Sequence, residues 1–302
     1  EVKLRTDQRR SIIWLSPEEA SLFPAPLGQE HLLGPISPSA VSIPAEKTHV
    51  AIANFRHQED HWIALIPITP VQAILAQQEI FLRSPTFKRP LAAHGQLRFL
   101  LPEGCPIHLV PQRPDQAPLE ISHLDDFIVS AEAVPPLIPD FPDYSLLGGT
   151  KGWFRQSVRF ISTSDKVAEM EETGHEINQY LLALSPEETS QVLLESIRRS
   201  DEVGVHTTYN TLAIGGTQCV YEMFNILDRA VLDSRTETGW DRKLSKKFDR
   251  LPLYVGRYLK SRGLRYSEGT DHEMPSLNDE IASSEEKHRL MERIAKITSP
   301  HD

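Results

Sequence analysis

Apolar positions change their spacing part-way along the chain. The first half carries short runs of Ile, Val, Leu and Phe bounded by turn residues, at Ser11–Leu15, Thr48–Phe55, His61–Pro67, Leu97–Leu101, Ile107–Val110 and Phe127–Ala131. Two more follow at Ser157–Ile161 and Ile177–Leu184. Such runs predict strands. The polar stretch Arg56–Asp60 between two of them reads as a hairpin turn. Further on, the period lengthens to that of a helix. Ser185-Pro186-Glu187-Glu188 has an N-cap serine, proline at the first helical position and glutamate at the third, before Val192, Leu193 and Ile197 on one face. Val220, Phe224, Leu227 and Val231 predict a second helix over about 217–232. A third covers Leu251–Arg262, closed by Gly263 at the C′ position, and a fourth, densely charged, covers Leu277–Ile297.

Prolines deepen this division. They crowd residues 24–44 and 102–142, and only four follow Pro142. Each fixes φ and removes a donor, so both stretches read as extended loops. The expectation is a domain over 1–232 with proline-rich loops, then a helical extension over 233–302. With 302 residues, 39% hydrophobic and 25% charged, the chain suits one large domain or two modest ones with a sizeable core.

Charge narrows the function. A formal net charge of −10 and a pI near 5.7 argue against a nucleic-acid binder, which needs a basic surface. No apolar run is long enough to predict a transmembrane segment. Two cysteines, Cys105 and Cys219, are too few for a disulfide framework or a thiolate zinc site. The chain opens at Glu1 without a basic and apolar leader, which leaves open whether a targeting segment was removed.

Cys219 is the first candidate for chemistry. It follows Gly215-Gly216-Thr217-Gln218 and occupies the second helical position if Thr217 is the N-cap. Free N–H groups and the positive end of the helix dipole favour a thiolate there, and the same groups can hold an oxyanion. The plainer alternative is a small buried hydrophobe. His49 is the second candidate. It enters an apolar strand as Thr48-His49-Val50-Ala51-Ile52 and can serve as general base if a nucleophile faces it. Its plainer role is a hydrogen-bonded residue at a strand edge.

These positions carry a resemblance. A strand histidine followed by Tyr209-Asn210-Thr211-Leu212 and a cysteine opening a helix is similar to the circularly permuted NlpC/P60 enzymes, which are papain-like. More closely, Tyr180 to Glu188, then Val192 to Ile197, then Tyr209 to Leu212 and Cys219, resembles the DUF4105 family, the Lnb N-terminal periplasmic domains. The likeness spans about 47–264 and is strongest over Tyr180–Leu232. It implies an α+β fold in which an antiparallel sheet packs on a nucleophile helix, with extra C-terminal helices. It implies Cys219 as nucleophile and His49 as base in an acyl-thioester mechanism, with no cofactor. It also implies a location in the periplasm or cell envelope, a cytoplasmic one staying open, and a lipoprotein, phospholipid or peptidoglycan substrate. The chain departs from the family where Gln218 replaces the usual asparagine and Ala213-Ile214-Gly215-Gly216 lengthens the loop.

A third residue should orient the histidine. His61 lies at a spacing similar to that of NlpC/P60 enzymes, but register counts against it. A turn at Gln58 pairs His61 with Phe55, six residues from His49 and so roughly 20 Å away. The other constellations are bland. His57-Gln58-Glu59-Asp60-His61 diverges on a turn and predicts no metal, and Cys105-Pro106-Ile107-His108 reads as a structural loop. Leu147–Gly152 lacks phosphate-loop spacing, and Trp153-Phe154-Arg155 reads as core. The sequence thus predicts a thiol-dependent hydrolase or acyltransferase. The rival is an inactive papain-like scaffold with a charged C-terminal interaction tail for a protein partner. That rival expects removal of everything beyond Gly263 to leave the fold intact.

Overall fold

The computed structural model describes residues 12–15, 48–68, 71–83, 90–113, 115–120, 123–135, 146–203, 207–209, 218–231, 255–264 and 274–298. The proline-rich stretch 24–44 and the expected N-cap Thr217 lie outside them. The described strands are β1 (Ile12–Leu15), β2 (His49–His57), β3 (Asp60–Pro67), β4 (Ala73–Arg83), β5 (Pro90–Leu100), β6 (Ile107–Pro111), β7 (His123–Leu124), β8 (Asp126–Val134), β9 (Arg155–Ser162) and β10 (Glu176–Leu181). The helices are α1 (Leu146–Thr150), α2 (Thr163–Thr173), α3 (Pro186–Val203), α4 (Gln218–Val231), α5 (Val255–Ser261), α6 (Leu277–Ala282) and α7 (Ser284–Thr298).

The strands form one sheet in the order β10-β4-β5-β8-β9-β2-β3-β6-β7, with β1 also on β2. Neighbours are antiparallel except β2 and β9, which meet in parallel at Arg56↔Ile161. The fold is therefore α+β on a mostly antiparallel sheet.

Alternation sorts the central strands into two faces. Ala76, Leu97, Phe99, Phe127, Val129, Ala131, Val158 and Phe160 are buried together with α3 and α4, whose Val192, Leu193, Ile197, Val220, Phe224 and Leu227 join the same core. Phe127 stacks on both Phe99 and Phe160. The in-between positions are polar: Gln77 and Glu79 on β4, His94, Gln96 and Arg98 on β5, Ser130 on β8 and Arg159 on β9 are all buried. Buried polar groups must find partners. Here they find them on one another, on α2 and on α6.

Two expected helix signals hold. The Ser185 hydroxyl accepts from Glu188 N while the Glu188 carboxylate accepts from Ser185 N at 2.8 Å, a complete capping box for α3. Gly263 takes φ +64 after α5, the left-handed C′ conformation. The hairpin between β2 and β3 turns on Gln58-Glu59, both at positive φ. A two-residue turn of that kind usually contains glycine. Its two N–H groups donate instead to Asp165 at 2.7 and 3.1 Å, which offsets the strain. His61 pairs with Arg56 rather than Phe55, because the turn has two residues, Gln58 and Glu59; a register shift further on, between Ile52 and Phe55, accompanies Asn54 at φ 59.

The C-terminal charges are not a solvated tail. Ser283 divides the expected helix into α6 and α7. Leu290 and Ile294 of α7 are fully buried with Leu75, Leu100 and Leu181, and Glu280 of α6 is buried against Arg98. Only the opposite face of α7 is charged and exposed, as an amphipathic helix requires.

Candidate active site

Cys219 is the second residue of α4, inside the first turn, where N–H groups lack intrahelical partners. Its side chain is 1% exposed. The helix lies close on β5 because residue 95 is glycine. A Cβ there would come within 3.0 Å of the Val220 backbone and 3.1 Å of its side chain. Gly95 follows His94 on β5, and the Cys219 side chain is hydrogen-bonded to the imidazole. The β5–β8 ladder runs from Leu100↔Asp126 to Gln96↔Ser130. Past that pair, β5 continues with β4 and β8 with β9.

His94 is 4% exposed. Burial opposes its charged form, but the charge of Cys219, the charge of Glu132 and a hydrogen bond with Cys219 outweigh burial and push its pKa up to about 9. Cys219 is thus the hydrogen-bonded neighbour that does most to hold the proton on His94. On the far side of the ring, Nε2 meets Ser130 Oγ at 2.5 Å and lies 3.6 Å from Glu132 Oε1. The Ser130 hydroxyl donates to the same Glu132 oxygen at 2.7 Å. Nδ1 is then the nitrogen left for the sulfur. Burial would raise the Glu132 carboxyl, yet His94, Arg159 and Lys166 hold it well below the usual carboxylate range. The set is a thiol, an imidazole and an orienting hydroxyl–carboxylate pair, the arrangement that nucleophilic catalysis needs.

The sequence-predicted base is elsewhere. His49 opens β2, pairs with Leu15 and Pro67, and meets Thr48 Oγ1 through Nδ1 at 2.9 Å. Burial, then the neighbouring His108, lowers its pKa. Its strand is three places from β5, roughly 14 Å at ordinary strand spacing. The structure brings Cys219 together with His94, not with His49. His61 sits at the other end of the β2–β3 hairpin from His49, where Asp60 accepts from its N–H and Gln116 donates to its carbonyl. It orients neither histidine.

His94, Ser130 and Glu132 were not among the sequence candidates, although a period-two signal was present. Extending the Leu97–Leu101 strand backwards places Arg98, Gln96 and His94 on one face. Extending Phe127–Ala131 forwards places Glu132 beside Ser130. Among the described residues, no cluster of three or more His, Cys, Asp or Glu has metal-site geometry, and no helix is long and apolar enough to cross a membrane. Neither a family model, nor a curated protein, nor a solved structure matches the chain.

Proposed function

We propose that the protein is a thiol-dependent acyl-transfer enzyme with Cys219 as nucleophile, His94 as acid and base, and Glu132 with Ser130 as orienting pair. The observation that carries this is the pairing of a helix-start thiol with an imidazole whose other nitrogen is held by a hydroxyl–carboxylate couple. In the reaction, the Cys219 thiolate attacks a carbonyl carbon and a C–S bond forms. The bond to the leaving nitrogen or oxygen breaks as His94 gives it a proton. Neutral His94 then takes a proton from water or an amine, which attacks the thioester and returns sulfur as thiolate. Water makes the protein a hydrolase, and an amine makes it an acyltransferase. First-turn N–H groups of α4 are the natural donors to the oxyanion.

The papain-like reading of the fold and an envelope substrate, whether lipoprotein, phospholipid or peptidoglycan, rest on the family resemblance of Tyr180–Leu232. The α4-on-sheet packing is compatible with it. The test is intact-mass detection of an acyl adduct after incubation with an aryl ester, a phospholipid or a muropeptide. The adduct should map to Cys219 and be lost in Cys219→Ala and His94→Ala but kept in His49→Ala. Loss in His49→Ala with retention in His94→Ala would overturn the assignment. One observation favours the scaffold reading instead, the near-complete burial of both reacting groups. Failure of every substrate, and of iodoacetamide, to modify native Cys219 would decide for it.

A further inference from the structure

Glu132 is more than a partner of His94. It begins a chain of alternating charges on the polar face of the sheet. Arg159 lies 3.6 Å from Glu132 and donates to Glu169 at 3.0 Å. Glu169 lies 3.5 Å from Lys166, and Lys166 Nζ is 2.8 Å from Glu79. Glu79 binds His175 Nδ1 at 2.8 Å. The chain then turns back, because Phe81 places its ring 4.8 Å from that of His175 and 6.0 Å from that of His94. Glu79 is also the cross-strand partner of His94. Lys166, from the first turn of α2, is the buried cation between Glu79 and Glu169 in this chain.

A buried lysine is costly, and its ammonium is retained here by Glu79 and Glu169. The groups that face His94 are Cys219 from α4, Ser130 and Glu132 from β8, Glu79 and Phe81 from β4, and the cation Lys166 from α2, with Arg159 from β9 on the other side of Glu132. An imidazolium flanked only by a thiolate and a carboxylate would hold its proton too firmly to give it to a leaving group. A buried cation opposes that.

We infer that Lys166 is a positioning residue for the transfer reaction: held in a network of charges that reaches His94 through Glu79 and Glu132, it sets how readily the imidazolium releases its proton. This rests on the acyl-transfer reading above. Lys166 touches no reacting atom and acts through Glu132 and the field at His94.

The experiment titrates His94 by NMR in histidine-labelled full-length protein, assigned with His94→Asn, and measures acyl transfer with an aryl ester. Lys166→Met should move the His94 titration up by about one unit and carry the alkaline limb of activity with it. It should lower kcat several-fold at neutral pH with KM unchanged, and Lys166→Arg should restore both. Lys166→Met combined with Glu169→Gln removes the cation together with a carboxylate partner that does not face His94, so it tests the same upward movement with a smaller charge imbalance. A His94 titration that stays put in folded Lys166→Met and in the folded double variant overturns the inference. So does failure of both variants to fold, since Lys166 would then supply structure alone. The titration reads the network with or without turnover, whereas acyl capture at Cys219 reads the reaction, so the two proposals fail separately.

Discussion

At the scale of single residues, everything turns on one imidazole. The pKa of His94 rises from an ordinary 6.5 to about 9 because Cys219 and the Glu132 carboxylate outweigh burial. The sign is that of a group raised on folding. Its contribution to stability is complete below about pH 6.5 and is lost as pH climbs through about 9. Acyl transfer should follow the same limb, since a deprotonated His94 has no proton for the leaving group. A kcat/KM profile is therefore expected to fall through about pH 9, and a profile still rising there would contradict the assignment. Cys219→Ala removes the larger of the two attracting charges and leaves burial in place. The His94 titration should then drop by about one to three units, read by the same NMR experiment. Cys219 was legible in the sequence because a helix start has a composition and a period. His94 was not, because Leu91-Ala92-Ala93-His94-Gly95 lacks the branched and aromatic residues that announce a strand. Pairing with β4 makes it one.

At the scale of elements, the site exists because a helix lies unusually close to a strand. Gly95 grants that approach, and any side chain there must push against the backbone of Val220. Gly95→Val is expected to displace the start of α4 from His94 and lower acyl transfer by at least about a hundredfold, as misplacement of reacting groups does. Circular dichroism should still show a folded protein, because the rest of α4 remains in the core. Full activity in Gly95→Val would show that the close packing is incidental. The two longest missed elements share one physical cause. Ala73–Arg83 carries glutamines and a glutamate at its buried positions, and Thr163–Thr173 buries Asp165 and Lys166. Period and hydrophobicity identify a strand or helix that buries apolar surface. They are silent on one that buries charges, since the partners that make such burial tolerable come from other strands. The polar face of the sheet was therefore opaque in the sequence, while its apolar face, with β2, β3, β8 and β9, was readable.

At the scale of the molecule, the polar face joins the site to the C-terminus. Arg98 lies four residues along β5 from His94, on the same face. Its guanidinium donates to both oxygens of Glu280, at 2.6 and 2.9 Å, and also to Asp126. Gln179 connects the same carboxylate to β10 and, through Gln77, to the row that ends at Gln96. Reading the last helices as a detachable tail counted their charges without their partners. Glu280 is charged and buried, so it holds α6 and α7 on the sheet rather than offering them to solvent. Removing Glu280 leaves Arg98 buried with Asp126 as its remaining carboxylate and with N–H groups short of an acceptor, which costs about 1–3 kcal/mol. Glu280→Ala should therefore lower stability by roughly that amount in urea unfolding, more than exposed pairs on α7 such as Arg289 with Glu285, worth at most about 1 kcal/mol. Truncation after Gly263 takes away Glu280, Leu290 and Ile294 together. It should destabilise the sheet that carries His94 and abolish acyl transfer, even though none of the described residues beyond Gly263 supplies a group to the site. A truncated protein with an unchanged unfolding midpoint would restore the detachable tail, and with it the reading of α6 and α7 as a surface for a partner.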